Sequence, residues 1–191
     1  MQAIRSYFDK LVKLNDLEFA EIVRVMKKVS LSKKEFLLNE GEVCDFVAFI
    51  EKGVFRYHHE IEGEEKVIAF FFEREFVSNY RSFLTGQPSE YYIQALEESE
   101  IWIIRKADLM RLYDKFPKID RLGRFIAERL FLAVTARLDS FLFSSPEDRF
   151  QSLIKQNPAL FERVPQYMIA SFLGVTPESL SRIRTRVTGN Y

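Results

Sequence analysis

The sequence predicts an α+β protein: an N-terminal antiparallel β-roll with flanking helices, then a long helix, then a C-terminal helix-turn-helix. Three observations carry this. Between Glu35 and Ile104, short runs of β-type residues alternate with turn residues. From Lys118 to about Phe143, apolar residues recur at helical spacing without a break. From Val164 to Arg186, two short helical patterns meet at Gly174, Val175 and Thr176.

Taken in order, residues 1–29 read as helices, with Asn15 a cap and Leu17, Ile22, Val25, Met26 and Val29 near helical spacing. The strand runs are Phe36-Leu-Leu, Phe46 to Ile50, Val54 to His58, Lys66 to Phe72, Tyr91 to Ala95 and Ile101 to Ile104. Turn residues at Glu40-Gly41-Glu42, Lys52-Gly53, Glu62-Gly63-Glu64 and Thr85 to Pro88 separate them. So many short strands in about 70 residues predict a compact antiparallel roll rather than a parallel sheet.

Helical patterning resumes over Lys106 to Phe116 and is interrupted at Pro117. The long run that follows has an apolar stripe too wide for a helix resting on one neighbour. One face docks on the roll, and Leu122, Ile126, Leu130, Ala133 and Val134 meet the same helix of a second subunit. The alternative is a helix buried within a monomer. Ser144 to Asp148 is a hinge and a helix start, with Ser145 as cap, Pro146 at the first position and acids in the first turn. The chain therefore divides into a roll with flanking helices (1–116), a long dimerisation helix (117–143) and a helix-turn-helix part (144–191).

Within that last part, Ala170 is small where two helices cross, and Gly174 supplies the left-handed conformation that ends the first of them. Thr176 suits an N-cap and Pro177 the first helical position. Leu180 and Ile183 fall at i and i+3 and pack against Ile169, Ala170 and Leu173, which leaves Pro177, Glu178, Ser181 and Arg182 facing outward.

With 47% apolar and 15% aromatic residues in 191, the chain has ample material for a packed core. Basic and acidic residues balance at 28 each, but unevenly. Acids outnumber bases 15 to 7 between Ser30 and Glu100, whereas beyond Arg163 three arginines face one glutamate. The cationic end is the helix-turn-helix end. A single cysteine, Cys44, excludes an intrachain disulfide framework and an iron–sulfur cluster; it reads as a small core residue, with a one-thiol redox sensor as the alternative. The N-terminus lacks the apolar run of a signal peptide and no stretch approaches a membrane span, so a soluble, cytoplasmic protein is expected. No enzyme is expected, and no metal or cofactor. A cupin-like centre needs several spaced ligands where only His58 and His59 exist, and adjacent strand residues point to opposite faces, which also disfavours haem ligation.

This order of elements resembles the Crp/Fnr family of bacterial transcription regulators, whose sensor domain is a cyclic-nucleotide-binding-like jelly roll. The segments that match are Asn39-Glu-Gly-Glu-Val-Cys44, Phe49-Ile-Glu-Lys-Gly-Val-Phe-Arg56, Glu62-Gly-Glu-Glu65, Ala95-Leu-Glu-Glu-Ser99 and, most specifically, Leu173-Gly-Val-Thr-Pro-Glu-Ser-Leu-Ser-Arg182. The resemblance implies a homodimer on palindromic double-stranded DNA, bound through the recognition helix 176–186, with RNA polymerase as a further partner. It implies that Glu178 and Arg182 read base edges, and the chemistry suits them: Arg donates bidentately to guanine and Glu accepts from cytosine. Thr176, Ser179 and Ser181 suit phosphates, and Arg186 adds to the basic face. The alternative is that Glu178 only caps the helix and Arg182 is solvated. Pro177 stands where many members carry another base-reading arginine, and the chain stops at Tyr191, so the wing that usually follows is expected to be truncated or absent. The competing function is a ligand- or partner-binding roll whose DNA binding is weak or lost.

Members that bind cyclic nucleotides hold the phosphate with a Gly-Glu pair and a later Arg followed by Ser or Thr. Here that loop carries Ser78-Asn79 and then Pro88-Ser89-Glu90, without the arginine; Arg81 is the nearby substitute. Cyclic AMP is therefore not expected to bind in the usual way. An unidentified small molecule could occupy a pocket near Phe71, Ser78, Asn79 and Tyr80, closed by Arg81, Ser89, Glu90 and Tyr91. Having no effector at all is the alternative.

Overall fold

The structure is a computed structural model and describes residues 1–188. Two helices open the chain, α1 (Gln2–Asp9) and α2 (Asp16–Val25). Asn15 caps α2 in a capping box: its side chain accepts from the Glu18 N–H at 2.8 Å while the Glu18 carboxylate accepts from the Asn15 N–H at 2.7 Å. The helical reading of residues 27–29 is corrected. They begin β1 (Lys27–Leu31), where Val29 lies opposite Ile101 in an antiparallel ladder, and this pairing overrides the local periodicity.

The six strand runs are all present: β2 (Phe36–Leu38), β3 (Phe46–Lys52), β4 (Phe55–Ile61), β5 (Glu64–Phe71), β7 (Tyr92–Ala95) and β8 (Ser99–Arg105). Between β5 and β7 lie two elements with no sequence signal, the two-residue β6 (Phe76–Val77) and the short helix α3 (Tyr80–Thr85). The strands form two four-stranded sheets, in the orders β1-β8-β3-β6 and β2-β7-β4-β5. This is the expected antiparallel roll.

Strand β3 is buried on both faces, and its sequence shows why. Phe46, Ala48 and Ile50 join the core between the sheets with Phe55, Ile93 and Ile101, whereas Phe49, with Val47 beside it, joins a second core of helical residues. That second core gathers Ile4 and Phe8, Ile22, Leu109 and Leu112, and Ile119 and Leu122. Gly53 turns β3 into β4 at φ +108°, where an added Cβ would meet the Ser99 Oγ at 2.1 Å, so only glycine fits. Cys44 is fully buried in the inter-sheet core, its N–H donating to Ser82 Oγ, which settles it as a core residue.

Helices α4 (Lys106–Lys115) and α5 (Pro117–Phe143) follow, then α6 (Pro146–Gln156), α7 (Leu160–Arg163), α8 (Gln166–Leu173) and α9 (Pro177–Thr188). The chain packs as two units: Met1–Tyr57 with Phe70–Arg129, and His58–Ala69 with the residues from Leu130 onward. The boundary falls inside α5.

In the first unit, the α5 stripe differs from the sequence expectation. Leu122 is 3% exposed within the helical core and is not free to meet a second copy, and Ile126 is half-buried against that core. The reason is register: both share the helix face of the buried Ile119, at i+3 and i+7. In the second unit, Leu130, Ala133 and Val134 are exposed as expected, and so are Phe131, Leu138 and Leu142. Phe131, Val134, Leu138 and Leu142 lie at i, i+3, i+7 and i+11, a coiled-coil-like seam rotated from the one expected.

The rest of the second unit is a small helical core. Phe150 of α6 and Leu160 of α7 are fully buried with Ile169 of α8, and the Phe150 and Phe161 rings meet edge to face at 5.5 Å. Ser145 caps α6 through a reciprocal box with Asp148. Ser171 of α8 accepts from the Val67 N–H of the β5 edge at 3.0 Å. Among the described residues no helix is long and apolar enough to cross a membrane. The expected loss of a wing concerns residues 189–191, which lie outside the described residues.

Candidate nucleic-acid interface

The turn between α8 and α9 is built as its residues require. Gly174 takes φ +69° at the C-cap, and the Val175 N–H donates back to the Ala170 carbonyl at 3.0 Å, closing the end of α8. Thr176 then caps α9: its hydroxyl accepts from the Ser179 N–H at 3.2 Å, and Pro177 occupies the first helical position, where no donor is needed.

Leu180 and Ile183 are 2% and 3% exposed, packed inward beside Ile169, Ala170 and Leu173. The opposite face of α9 presents Pro177, Glu178, Ser181, Arg182 and Arg186 to solvent. Glu178 and Arg182 stand one turn apart on it. The Glu178 backbone N–H at the start of the helix and the Thr176 hydroxyl hold the Glu178 carboxyl below the usual carboxylate range, and Arg182 adds to this. It is an ionised acceptor at neutral pH. Ser179 is half-buried, with its hydroxyl bonded to Thr176 and receiving the Arg182 guanidinium at 3.3 Å. Of the two serines, Ser181 is exposed, whereas Ser179 is half-buried and accepts from Arg182.

A groove of about 730 Å³ runs beside this face, between α9 and the start of α6, lined by Glu147, Val175, Arg182 and Arg186 among others. Across it, Arg186 pairs with Glu147 at 2.7 Å. Glu147 is the residue that the sequence did not point to. It read only as an acid favouring a helix start, and its partner lies in another helix.

The candidate effector residues come together in part. Asn79, 3% exposed, donates to Ser89 Oγ at 2.7 Å, and Ser89 in turn donates to the Tyr91 carbonyl at 2.7 Å, so three of them form one hydrogen-bonded cluster. Arg81 and Glu90 pair with each other at 3.3 Å on the surface, their side chains 75% and 60% exposed. Ser78 donates to the Phe46 carbonyl. Two expectations are corrected. Tyr80 packs against the helical core, its ring stacked on Phe83 at 5.7 Å, because it begins the one-turn helix α3 whose buried face carries Phe83. Phe71 packs at the edge of the inter-sheet core. The two rings therefore pack against different cores. Among the described residues no group of three or more His, Cys, Asp or Glu side chains is placed to hold a metal.

Residues 28–116, from β1 through α4, match the cyclic nucleotide-binding domain family. A crp/fnr-family protein from Eubacterium rectale superposes with a TM-score of 0.72 at 16% identity, over 99% of this chain and 89% of that one. The fold is that of the Crp/Fnr regulators. Two further structures with the Crp/Fnr fold align similarly. FixK2 from Bradyrhizobium japonicum gives a TM-score of 0.76 at 14% identity, over 87% of this chain and 86% of its own. The c-di-GMP responsive global regulator CLP of Xanthomonas campestris gives 0.70 at 16% identity, over 92% and 93%. No curated protein matches the chain by sequence. Within the Crp/Fnr fold, the matched family spans the roll, and α8 and α9 form the helix-turn-helix.

Proposed function

We propose that this protein is a homodimeric, sequence-specific DNA-binding transcription regulator that reads a palindromic site through residues 176–186. The observation that carries the reading is the placement of Glu178 and Arg182. They are exposed one turn apart, on the face of α9 opposite the buried Leu180 and Ile183, and Ser179 steers the guanidinium. Arg182 supplies a bidentate donor for guanine and the ionised Glu178 an acceptor for cytosine N4. Thr176, Pro177 and Ser181 lie against the backbone, with the helix start favouring a phosphate. Arg186 joins them when phosphate replaces Glu147. The dimer forms along Phe131, Val134, Leu138 and Leu142 of α5, flanked by Leu130 and Ala133. RNA polymerase is a further partner in this reading, and the protein acts in the cytoplasm. In this reading cyclic AMP does not bind in the usual way, because the loop Pro88-Ser89-Glu90 lacks the phosphate-neutralising arginine of the cyclic-nucleotide binders and Glu90 adds a negative charge there.

Selection from random duplexes, followed by gel shifts at several salt concentrations, tests this. A palindrome with half-sites about one helical turn apart is enriched, and affinity falls steeply with salt. Arg182→Ala costs about 1–3 kcal/mol on the selected site and relaxes one base position. An equal loss on every sequence means that Arg182 touches only phosphate. Enrichment of no sequence overturns the reading and leaves a roll that binds a ligand or partner.

A further inference from the structure

Two arginines of the second unit have an arrangement that the DNA reading does not use. Arg137, near the end of α5, lies over the Phe172 ring at 3.7 Å and donates to the Phe172 carbonyl at 2.8 Å. Arg149, from α6, donates to the Leu173 carbonyl at 3.0 Å and to the Ser144 carbonyl at 2.7 Å. Both guanidiniums pack on one ring, Phe141 of α5, at 4.9 and 4.8 Å. That ring also abuts the turn of the helix-turn-helix, since a Cβ on Gly174 would sit 2.9 Å from Phe141 Cε1.

The chemistry of this joint is unusual. Every hydrogen-bond partner described for these guanidiniums is a backbone carbonyl. Burial, with the neighbouring Arg149 charge adding, lowers the Arg137 guanidinium to about 10, still charged at neutral pH. What stabilises two like charges here is the convergence of two helix C-termini. The last carbonyls of a helix lack intrahelical partners and carry about half a negative charge. Phe172 and Leu173 end α8, and Ser144 follows the end of α5. The planar fork of Arg149 spans both ends at once, which an ammonium cannot do with the same geometry.

We propose that Arg137 and Arg149 are positioning residues that lock α8, and through the Gly174 turn the recognition helix α9, at one angle to the end of α5. The link from Phe143 to Pro146 is thereby a fixed joint rather than a free hinge. In a dimer built on α5 this angle sets the separation of the two recognition helices, and so the half-site spacing accepted; only that consequence rests on the DNA reading.

The joint is tested without DNA by placing spin labels at two exposed positions, Ala136→Cys on α5 and Thr185→Cys on α9, in full-length chains diluted with unlabelled protein. Cys44 is buried and stays unlabelled. The parent gives one narrow distance distribution, and Arg137→Met with Arg149→Met broadens it while the circular dichroism of the roll is unchanged. Arg149→Lys, which keeps the charge and removes the fork, gives an intermediate width and decides the matter if the double variant does not fold. A distribution as narrow and as centred as the parent's, in whichever variant folds, overturns the proposal. In duplex selection, the variant keeps the half-site sequence and accepts several spacings. An affinity loss equal at every spacing overturns the positioning role, and a parent that selects no site at all refutes the DNA reading while the label distances still judge the joint.

Discussion

Glu147 and Arg186 face each other at 2.7 Å across the groove beside α9, with the Glu147 side chain 34% and the Arg186 side chain 65% exposed. A surface pair of this kind is worth about 0–1 kcal/mol and weakens with salt. A DNA phosphate must displace Glu147 to engage Arg186. Glu147→Gln is therefore expected to tighten DNA binding by up to about fivefold at low salt, with the gain shrinking as salt rises. Weaker binding in that variant would instead show that Glu147 holds Arg186 in its useful rotamer. Much of this site was legible in the sequence, because its logic is local. Gly174, Thr176 and Pro177 declare the turn and the cap within a few positions, and Leu180 and Ile183 declare the inward face, which fixes Glu178 and Arg182 outward. The partners of Arg186, Arg137 and Arg149 were not legible, since each lies on another helix or in its terminal carbonyls, and a carbonyl leaves no mark in a sequence.

At the scale of elements, α5 holds a glycine where helix propensity argues against one. An alanine at Gly123 would ordinarily add about 1 kcal/mol of helix stability. Here the added Cβ would lie 2.2 Å from the Tyr113 hydroxyl and 2.4 Å from Cζ of the same ring. Tyr113 packs against the helical core, and burial raises its phenol well above the ordinary value. Overpacking of this kind costs about 1–3 kcal/mol, so Gly123→Ala should lower the thermal midpoint rather than raise it. A raised midpoint would mean that Tyr113 swings aside freely. The strands whose runs end in turn residues were visible in sequence. β1 was not, because Val25, Met26 and Val29 continue a helical spacing and only the distant β8 draws residues 27–31 into a sheet. The two-residue β6 and the one-turn α3 are too short to show a period.

For the whole molecule, the unmatched surface is the α5 seam. Phe131, Val134, Leu138 and Leu142 are 67, 59, 56 and 64% exposed in the single chain. A run of large apolar side chains at steps of three and four residues along one helix calls for a partner helix. Leu138→Asp is expected to shift sedimentation from dimer to monomer and to weaken binding to the palindrome far more than to an isolated half-site, since the second contact loses its effective concentration. Dimeric sedimentation in that variant would place the interface elsewhere. The sequence showed that α5 had more apolar surface than one neighbour needs. It could not show which stripe the roll consumes, because Leu122 and Ile126 look as available as Leu138 until the packing of Ile119 sets the rotation of the helix.

Strand β3 has one more consequence. Its odd and even side chains serve different interiors, so it is a party wall between the inter-sheet core and the helical core. Neither interior can melt alone without stripping one face of that wall, which ties the first unit into a single cooperative unfolding event. A molecule that wedged the sheets apart would be felt at once by Ile119 and Leu122 at the root of α5.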